Sequence, residues 1–590
     1  MVQPKKILND PQNAVDEFIS GLLLQYPNRL QKLQNHNVIL TAHPSSQVQL
    51  LSGGGSGHEP SHAGWIGQGM LSVAVCGGIF ASPSVAAILA AIRAAAAATK
   101  EQKGVLLIVK NYTGDRLNFG MACEKANQEG IPCQMLVVAD DCALPRTKGI
   151  TGARGVAGTV LIHKVAGAAA AKGYSLSQVA ALGTQVTKRM GTLGVALNNV
   201  TVPGATTVND RLDDHTIEIG LGIHGEAGLK QSPLLTCDEM TKEMLSTIRA
   251  YGRTLDDDDD PDNNIVPMFE KGDDLCLLVN NLGGTSNFEM SILANSAVKL
   301  LEGEYGCKVS RLFVGAFMTS FDMHGVSITV LNLTGASSEI VELLDAPTDA
   351  PAWMKCDIYN AEKRASATER PEVVVDESKT EVNLPPLKID NFEATAKEMA
   401  KKAAEGLGAE EAMLTKYDTI VGDGDCGITM KRGATEVLER LEKGTIPTNH
   451  PVTMFAAMAD AVSASMGGTS GVLLELMFRK MSSTLQRCES IDIKEFSAAF
   501  QAGVDAISLY GGATVGSRTM LDALVPAAAV LMETNDLIQA ASKAKWGADG
   551  TAQMKAASAG RSNYLSEETL TGTPDPGAVA VSIVLEALSE

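Results

Sequence analysis

The hydrophobic pattern changes kind once along this chain, and that change commits it to two unlike domains. From residue 1 to about 345, short apolar runs of strand length alternate with helical segments: Gly104-Val-Leu-Leu-Ile-Val109, Gln134-Met-Leu-Val-Val138, Leu275-Cys-Leu-Leu-Val279 and Val326-Ser-Ile-Thr-Val330. Such alternation predicts an α/β domain. Residues 346–388 are rich in Pro, Asp, Glu, Lys and Thr with little periodicity, and predict a linker. From Phe392 onward only helical periodicity remains, punctuated by glycine turns, as in Ala394 to Glu405, Phe496 to Leu509 and Thr519 to Met532. The expected plan is an α/β domain over 1–345, a linker over 346–388 and an all-α domain over 389–590. A chain of 590 residues is in any case too long for one core.

The formal net charge of −20 argues against nucleic acid and anionic membrane as partners. The ten cysteines form no Cys-x-x-Cys and no His/Cys group at zinc spacing, so they read as thiols of a reducing compartment. The apolar stretch from Val85 to Ala98 is interrupted by Arg93 and is too short to span a bilayer. With no apolar signal core at the start, the expected location is cytoplasmic. The Asp256–Asp260 run beside Pro261 reads as a solvated loop, because five adjacent carboxylates cannot be buried together.

Two segments of the helical half carry chemistry. Asp418-Thr-Ile-Val-Gly-Asp423-Gly424-Asp425-Cys426-Gly427 places three carboxylates within eight residues. It fits either an exposed acidic turn or an all-oxygen site for a hard cation, magnesium in preference to zinc. About forty residues on, Met466-Gly467-Gly468-Thr469-Ser470-Gly471 is a glycine turn that opens a helix, whose unpaired N–H groups suit phosphate. Metal and phosphate together suggest a nucleotide, held through ions and backbone amides rather than basic side chains. There is no Gly-x4-Gly-Lys-Ser/Thr loop, so a kinase built on this chain is not of the P-loop kind.

In the α/β half, Thr216 to His224 alternates, with Ile217, Ile219, Leu221 and Ile223 on one face and Glu218, Gly220, Gly222 and His224 on the other. This predicts a strand that aims His224 away from the core. Ser52-Gly53-Gly54-Gly55-Ser56-Gly57-His58-Glu59-Pro60 reads as an irregular glycine loop offering amides, a hydroxyl and an imidazole. Lys110-Asn-Tyr-Thr-Gly-Asp115 follows a strand directly, where ligands of α/β sheets bind.

These segments, with Ser517-Arg518-Thr519-Met520-Leu-Asp522 and Asp575-Pro576-Gly577-Ala578, occur in an order that resembles the single-chain, ATP-dependent dihydroxyacetone kinases over essentially the whole length. The resemblance implies an N-terminal α/β substrate domain of two subdomains and a C-terminal antiparallel helical barrel that holds magnesium-ATP. It implies that His224 attacks the ketone to form a hemiaminal, anchoring a small substrate in a way glycerol cannot share. It further implies that Asp115 and His58 assist deprotonation of the attacking hydroxyl, and that Gly55, Ser56, Gly57, His58, Lys110 and Asp115 bind substrate. By the same likeness, Asp418, Asp423 and Asp425 hold two Mg2+ ions. Asp423, Gly424, Asp425, Cys426, Thr469, Ser470, Gly511, Thr519, Met520, Asp575, Pro576 and Gly577 would line the nucleotide site. The implied reaction is transfer of the γ-phosphate of ATP to dihydroxyacetone, and also to glyceraldehyde, by a homodimer.

Alternatives are cleavage of FAD to AMP and cyclic riboflavin phosphate with Mn2+ at the same site, or a non-catalytic dihydroxyacetone-binding regulator. Two departures stand out. Ala227 follows His-Gly-Glu where many members have proline, and Ser517 stands where an aspartate usually precedes Arg518, which bears on nucleotide affinity.

Overall fold

The computed structural model describes residues 5–98, 103–146, 152–205, 211–254, 265–354 and 384–590. The Asp256–Asp260 run and residues 355–383 of the expected linker lie outside them. The chain divides into two compact units, Met1–Pro371 and Glu372–Glu590.

The first unit holds two six-stranded sheets. One contains β1 (Leu30–Lys32), β2 (Val38–Thr41), β3 (Gln49–Ser56), β4 (Val73–Ile79), β5 (Val105–Lys110) and β6 (Cys133–Val138), in the order β1-β2-β4-β3-β5-β6. Strands β4, β3, β5 and β6 run parallel, whereas β1 and β2 pair antiparallel. The second contains β7 (Met190–Ala196), β8 (Thr216–Ile219), β9 (Lys230–Pro233), β12 (Asp274–Asn281), β13 (Lys308–Gly315) and β14 (Gly325–Asn332), in the order β13-β12-β14-β7-β8-β9. Between β9 and β12 in sequence lies a two-stranded ribbon, β10 (Arg253–Thr254) with β11 (Ile265–Val266). All four apolar runs singled out in the sequence are strands: β5, β6, β12 and β14. Strand β5 is buried along its whole length, as a central parallel strand covered on both faces must be.

Two expectations fail here. The glycine run Gly53–Gly55 is not a loop but the end of β3, where Gly53 and Gly54 pair with Val75 and Cys76 of the neighbouring strand β4 and so keep their backbone groups in the ladder. The strand leading to His224 stops at Ile219, and Gly220 turns the chain with φ +79°; Glu218, Gly220 and Gly222 are as buried as the isoleucines. The alternation therefore does not separate a wet face from a dry one. Within the segment assigned to the linker, Trp353 packs on Phe313 and Phe317 and the Ala352 N–H donates to the Gly64 carbonyl.

The second unit is helical, and the single β-bridge among its described residues joins Leu387 to Ile491. Its long helices close a ring: Phe392–Ala409 packs on Cys426–Glu442, then in turn follow Pro451–Ser465, Gly468–Leu485, Ile493–Gly511, Leu521–Thr534, Leu537–Thr551 and Pro576–Ser589, which returns to the first. The ring encloses an apolar cavity of about 500 Å3 lined by residues such as Met399, Met430, Phe455, Met477 and Phe500. The apolar stretch Val85–Ala97 is a helix of the first unit, and among the described residues no helix is long and apolar enough to cross a membrane.

Candidate active site

The first unit gathers its polar groups at the carboxyl ends of the parallel strands β3, β4 and β5. Lys110 ends β5 and is buried, and Asp115 lies in the first turn of the helix Thr113–Gln128. Both approach the open face of Gly54, where an added Cβ would lie 2.9 Å from Lys110 Nζ and 3.6 Å from Asp115 Oδ2. Burial lowers the Lys110 pKa, and Asp115, Glu226 and Glu59 act to raise it. Asp115 accepts a hydrogen bond from the Ser82 hydroxyl. The Ser56 hydroxyl donates to the Gly77 carbonyl at 2.8 Å, and the Gly57 N–H donates to Glu59 Oε2 at 2.9 Å.

His58 and His224 meet, although 166 residues separate them: their Nε2 atoms are 3.1 Å apart. His58 Nδ1 is 2.8 Å from the Thr319 carbonyl oxygen, which only accepts, so Nδ1 carries a hydrogen. His224 Nδ1 is 2.7 Å from Glu226 Oε1 and donates to that carboxylate. Two neutral rings arranged this way would face each other with bare lone pairs, so the contact requires one further proton between them. Burial, with Lys110 and His224 nearby, holds His58 well below the ordinary imidazole value. The His224 ring is boxed edge-on by Phe80 at 5.0 Å, Tyr112 at 4.8 Å and His58 at 4.8 Å, while Phe80 stacks on His58 at 5.0 Å. Gly57 is obligatory here: at φ +115°, a Cβ would fall 2.5 Å from the Phe321 ring and 2.7 Å from that of Phe80.

In the helical unit, Asp418, Asp423 and Asp425 each offer an oxygen within 4.8 Å of the others. Asp418 is buried near the end of the helix Glu411–Val421, while Asp423 and Asp425 are exposed. A divalent cation fits this donor set, because three converging carboxylates and no softer ligand suit a hard ion and relieve their repulsion. Cys426 adjoins the group, and burial with the surrounding aspartates pushes its thiol up to about 12.

Asp575 caps the helix Pro576–Ser589, accepting from the Ala578 N–H at 2.8 Å, and desolvation raises its pKa to about 6. A Cβ on Gly577 would lie 3.2 Å from Asp575 Oδ1 and 3.6 Å from Met520 Cβ, so these three residues adjoin. Thr519 donates its N–H to Asp522 Oδ2 at 2.8 Å, and Gly516 donates to Asp522 Oδ1 at 2.6 Å. Ser517 is buried and accepts the Thr514 N–H at 3.1 Å, closing its own turn. Thr469 and Ser470 lie in the first turn of Gly468–Leu485, and Gly511 ends Ile493–Gly511.

Reasoning from sequence missed several members. Glu226 was legible as a carboxylate two residues from His224. Phe80, Phe321 and the fully buried Arg518, whose Nη2 donates to the Thr573 carbonyl at 2.6 Å, left no local signal.

An α/β unit with an imidazole pair at its strand ends, on one chain with a closed helical ring bearing an acidic cluster that fits a cation, defines a two-domain class. The Dak1 domain matches residues 20–352 and the DAK2 domain residues 420–590, so Asp418 lies just ahead of the second match. A putative 3,4-dihydroxy-2-butanone kinase of Solanum lycopersicum is 42% identical, covering 98% of this chain and 97% of its own. The triokinase/FMN cyclase of Homo sapiens is 40% identical over 99% of both chains. The crystal structure of the dihydroxyacetone kinase from C. freundii in complex with AMP-PNP and Mg2+ aligns with TM-score 0.65 and 32% identity over 99% of each chain. The chain belongs to the dihydroxyacetone kinase family, in the form that joins Dak1 and DAK2 domains on one polypeptide.

Proposed function

We propose that this chain is an ATP-dependent dihydroxyacetone kinase whose substrate is held as a hemiaminal on His224. The observation that carries this reading is the His58–His224 contact, with His224 Nδ1 bound to Glu226, above a floor of glycine backbone flanked by Lys110 and Asp115. Attack by Nε2 forms a C–N bond while the ketone oxygen takes a proton, a step open to dihydroxyacetone and glyceraldehyde and closed to glycerol. Asp115 and His58 then assist loss of the proton from the hydroxyl that receives phosphate, and Gly55, Ser56, Gly57 and Lys110 seat the substrate. Asp418, Asp423 and Asp425 would hold two Mg2+ ions, which supply charge neutralisation for the phosphates of ATP. Gly424, Cys426, Thr469, Ser470, Gly511, Thr519, Met520, Asp575, Pro576 and Gly577 line the nucleotide in the same proposal. The domain division 1–345, 346–388 and 389–590, modified by the packing of Trp353, belongs to it too, as do a homodimer and a cytoplasmic location.

A second activity, cleavage of FAD to AMP and cyclic riboflavin phosphate with Mn2+, is favoured by the 40% identity to a triokinase/FMN cyclase over 99% of the chain. The test is formation of dihydroxyacetone phosphate from ATP and Mg2+ by wild type, Asp423→Ala and His224→Ala. Both variants should lose it, and only Asp423→Ala should lose FAD cleavage. Ketone phosphorylation that survives His224→Ala would defeat the hemiaminal.

A further inference from the structure

Glu226 is bonded to His224 twice. Its Oε1 takes the ring Nδ1–H at 2.7 Å, and its Oε2 takes the His224 backbone N–H at 3.0 Å. The carboxylate is itself seated. A Cβ on Gly222 would fall 2.0 Å from Glu226 Oε2 and 2.5 Å from Arg154 Nη1, so a side-chain-free residue lets both groups converge on one spot. Arg154 is fixed in turn, with its Nε on Asp141 Oδ2 at 2.6 Å and its Nη2 on the Gly220 carbonyl at 2.7 Å. Around this carboxylate lie His224, Arg154, Lys110, Asp141 and the Tyr112 hydroxyl. Burial acts to raise the Glu226 pKa, but the His224 hydrogen bond and charge outweigh it and hold the group at about 2. It is therefore ionised at any working pH.

The chemistry needs such a group. When Nε2 bonds to the ketone carbon, the C=O π pair moves to oxygen, and oxygen takes the proton shared by the two imidazoles. The alkylated ring keeps Nδ1–H and becomes an imidazolium, so the single positive charge of the pair passes onto His224. We propose that Glu226 is the positioning residue of this nucleophile: its carboxylate fixes hydrogen on Nδ1, leaves Nε2 to attack, and remains as counter-ion to the imidazolium of the hemiaminal. The inference rests on the hemiaminal reading and names what makes that adduct stable.

The test uses full-length Glu226→Gln and Gly222→Ala with dihydroxyacetone labelled with 13C at C2. In wild type the labelled carbon should leave the carbonyl region of the NMR spectrum on binding. Each variant should reduce the adduct about 10- to 100-fold, as loss of a hydrogen bond to a charged group does, and raise KM for dihydroxyacetone more than it lowers kcat. Glycerol, which has no carbonyl, should bind each variant as it binds wild type, and Glu226→Asp should recover part of the adduct. An intact adduct in Glu226→Gln, or a parallel loss of glycerol binding, would overturn the proposal. His224→Ala separates the two ideas: an adduct that persists there defeats the hemiaminal itself, whereas loss there with none in Glu226→Gln defeats only the role of Glu226.

Discussion

Asp418 accepts the backbone N–H of Cys426 at 2.9 Å and that of Asp425 at 2.8 Å on the same oxygen, Oδ2. The buried member of the acidic trio thus ties down the turn that carries the exposed members. A carboxylate proposed to hold metal that also caps a helix would have two jobs, and the jobs can be pulled apart.

Without metal, Asp418→Ala should unfold with roughly 2 kcal/mol less stability than wild type, because two N–H groups lose a charged acceptor. Asp423→Ala, which alters an exposed carboxylate, should stay within about 0.5 kcal/mol. Both should lose Mg2+ binding by titration calorimetry. Equal denaturation midpoints for the two variants would show that the Asp418 cap contributes nothing to the fold.

Burial, with Lys110 adding, lowers His163 to about 3. Its unfolded counterpart titrates near about 6.5, so below that pH the unfolded chain binds a proton the folded one refuses. Stability contributed at this site is whole above the unfolded value and falls as the pH drops through it, by about 2 kcal/mol between pH 7 and pH 5. His163→Gln should lack that loss. Urea unfolding in a Trp546→Phe background, where Trp65 and Trp353 report on the first unit, would read the difference directly. A constant gap between the two proteins across this pH range would refute the burial argument.

Ser517 already closes the turn that an aspartate would close, through its bond from the Thr514 N–H. Replacing it with Asp should therefore change ATP affinity by less than about tenfold, equivalent to 1.4 kcal/mol. Ser517→Ala should cost about 1 kcal/mol of stability by leaving that N–H unpaired. Fluorescent-nucleotide titration and thermal unfolding measure the two effects, and a hundredfold tighter site in Ser517→Asp would restore the charge as the decisive term.

Gly57→Ala should reduce dihydroxyacetone binding sharply and destabilise the first unit by about 1–3 kcal/mol, the usual cost of overpacking. Its Cβ would strike the rings of Phe321 and Phe80, and its φ of +115° is closed to alanine. Opening space with Phe321→Leu in the same chain should recover part of the stability but not all, since the backbone strain persists.

Much of this architecture was legible because it is local. Strands β5, β6, β12 and β14 announce themselves as apolar runs, and the helical ring by its 3.6-residue period. The aspartate trio fits within eight residues of sequence. The glycine end of β3 was unreadable because strand propensity counts side chains, whereas these glycines are held by backbone partners on β4. The facing of His224 was inferred from an alternation that ends with β8 at Ile219, and periodicity carries no information beyond the element that generates it. Phe80, Thr319 and His224 surround His58 from three remote segments, and Arg518 and Thr573 meet across 55 residues. Only the folded chain brings such groups together.

In the proposed substrate site, the glycine end of β3 is a wall built of main chain. A Cβ at Gly53 would lie 2.4 Å from the Val75 carbonyl, and one at Gly55 would lie 2.6 Å from the Ala81 nitrogen. Mutation can therefore do little to that surface except break it. On that proposal, side-chain substitutions that retune which ketone or aldehyde is preferred would fall on the aromatic rings of Phe80, Tyr112 and Phe321 around His224, while the main-chain wall and the anchor stay where they are.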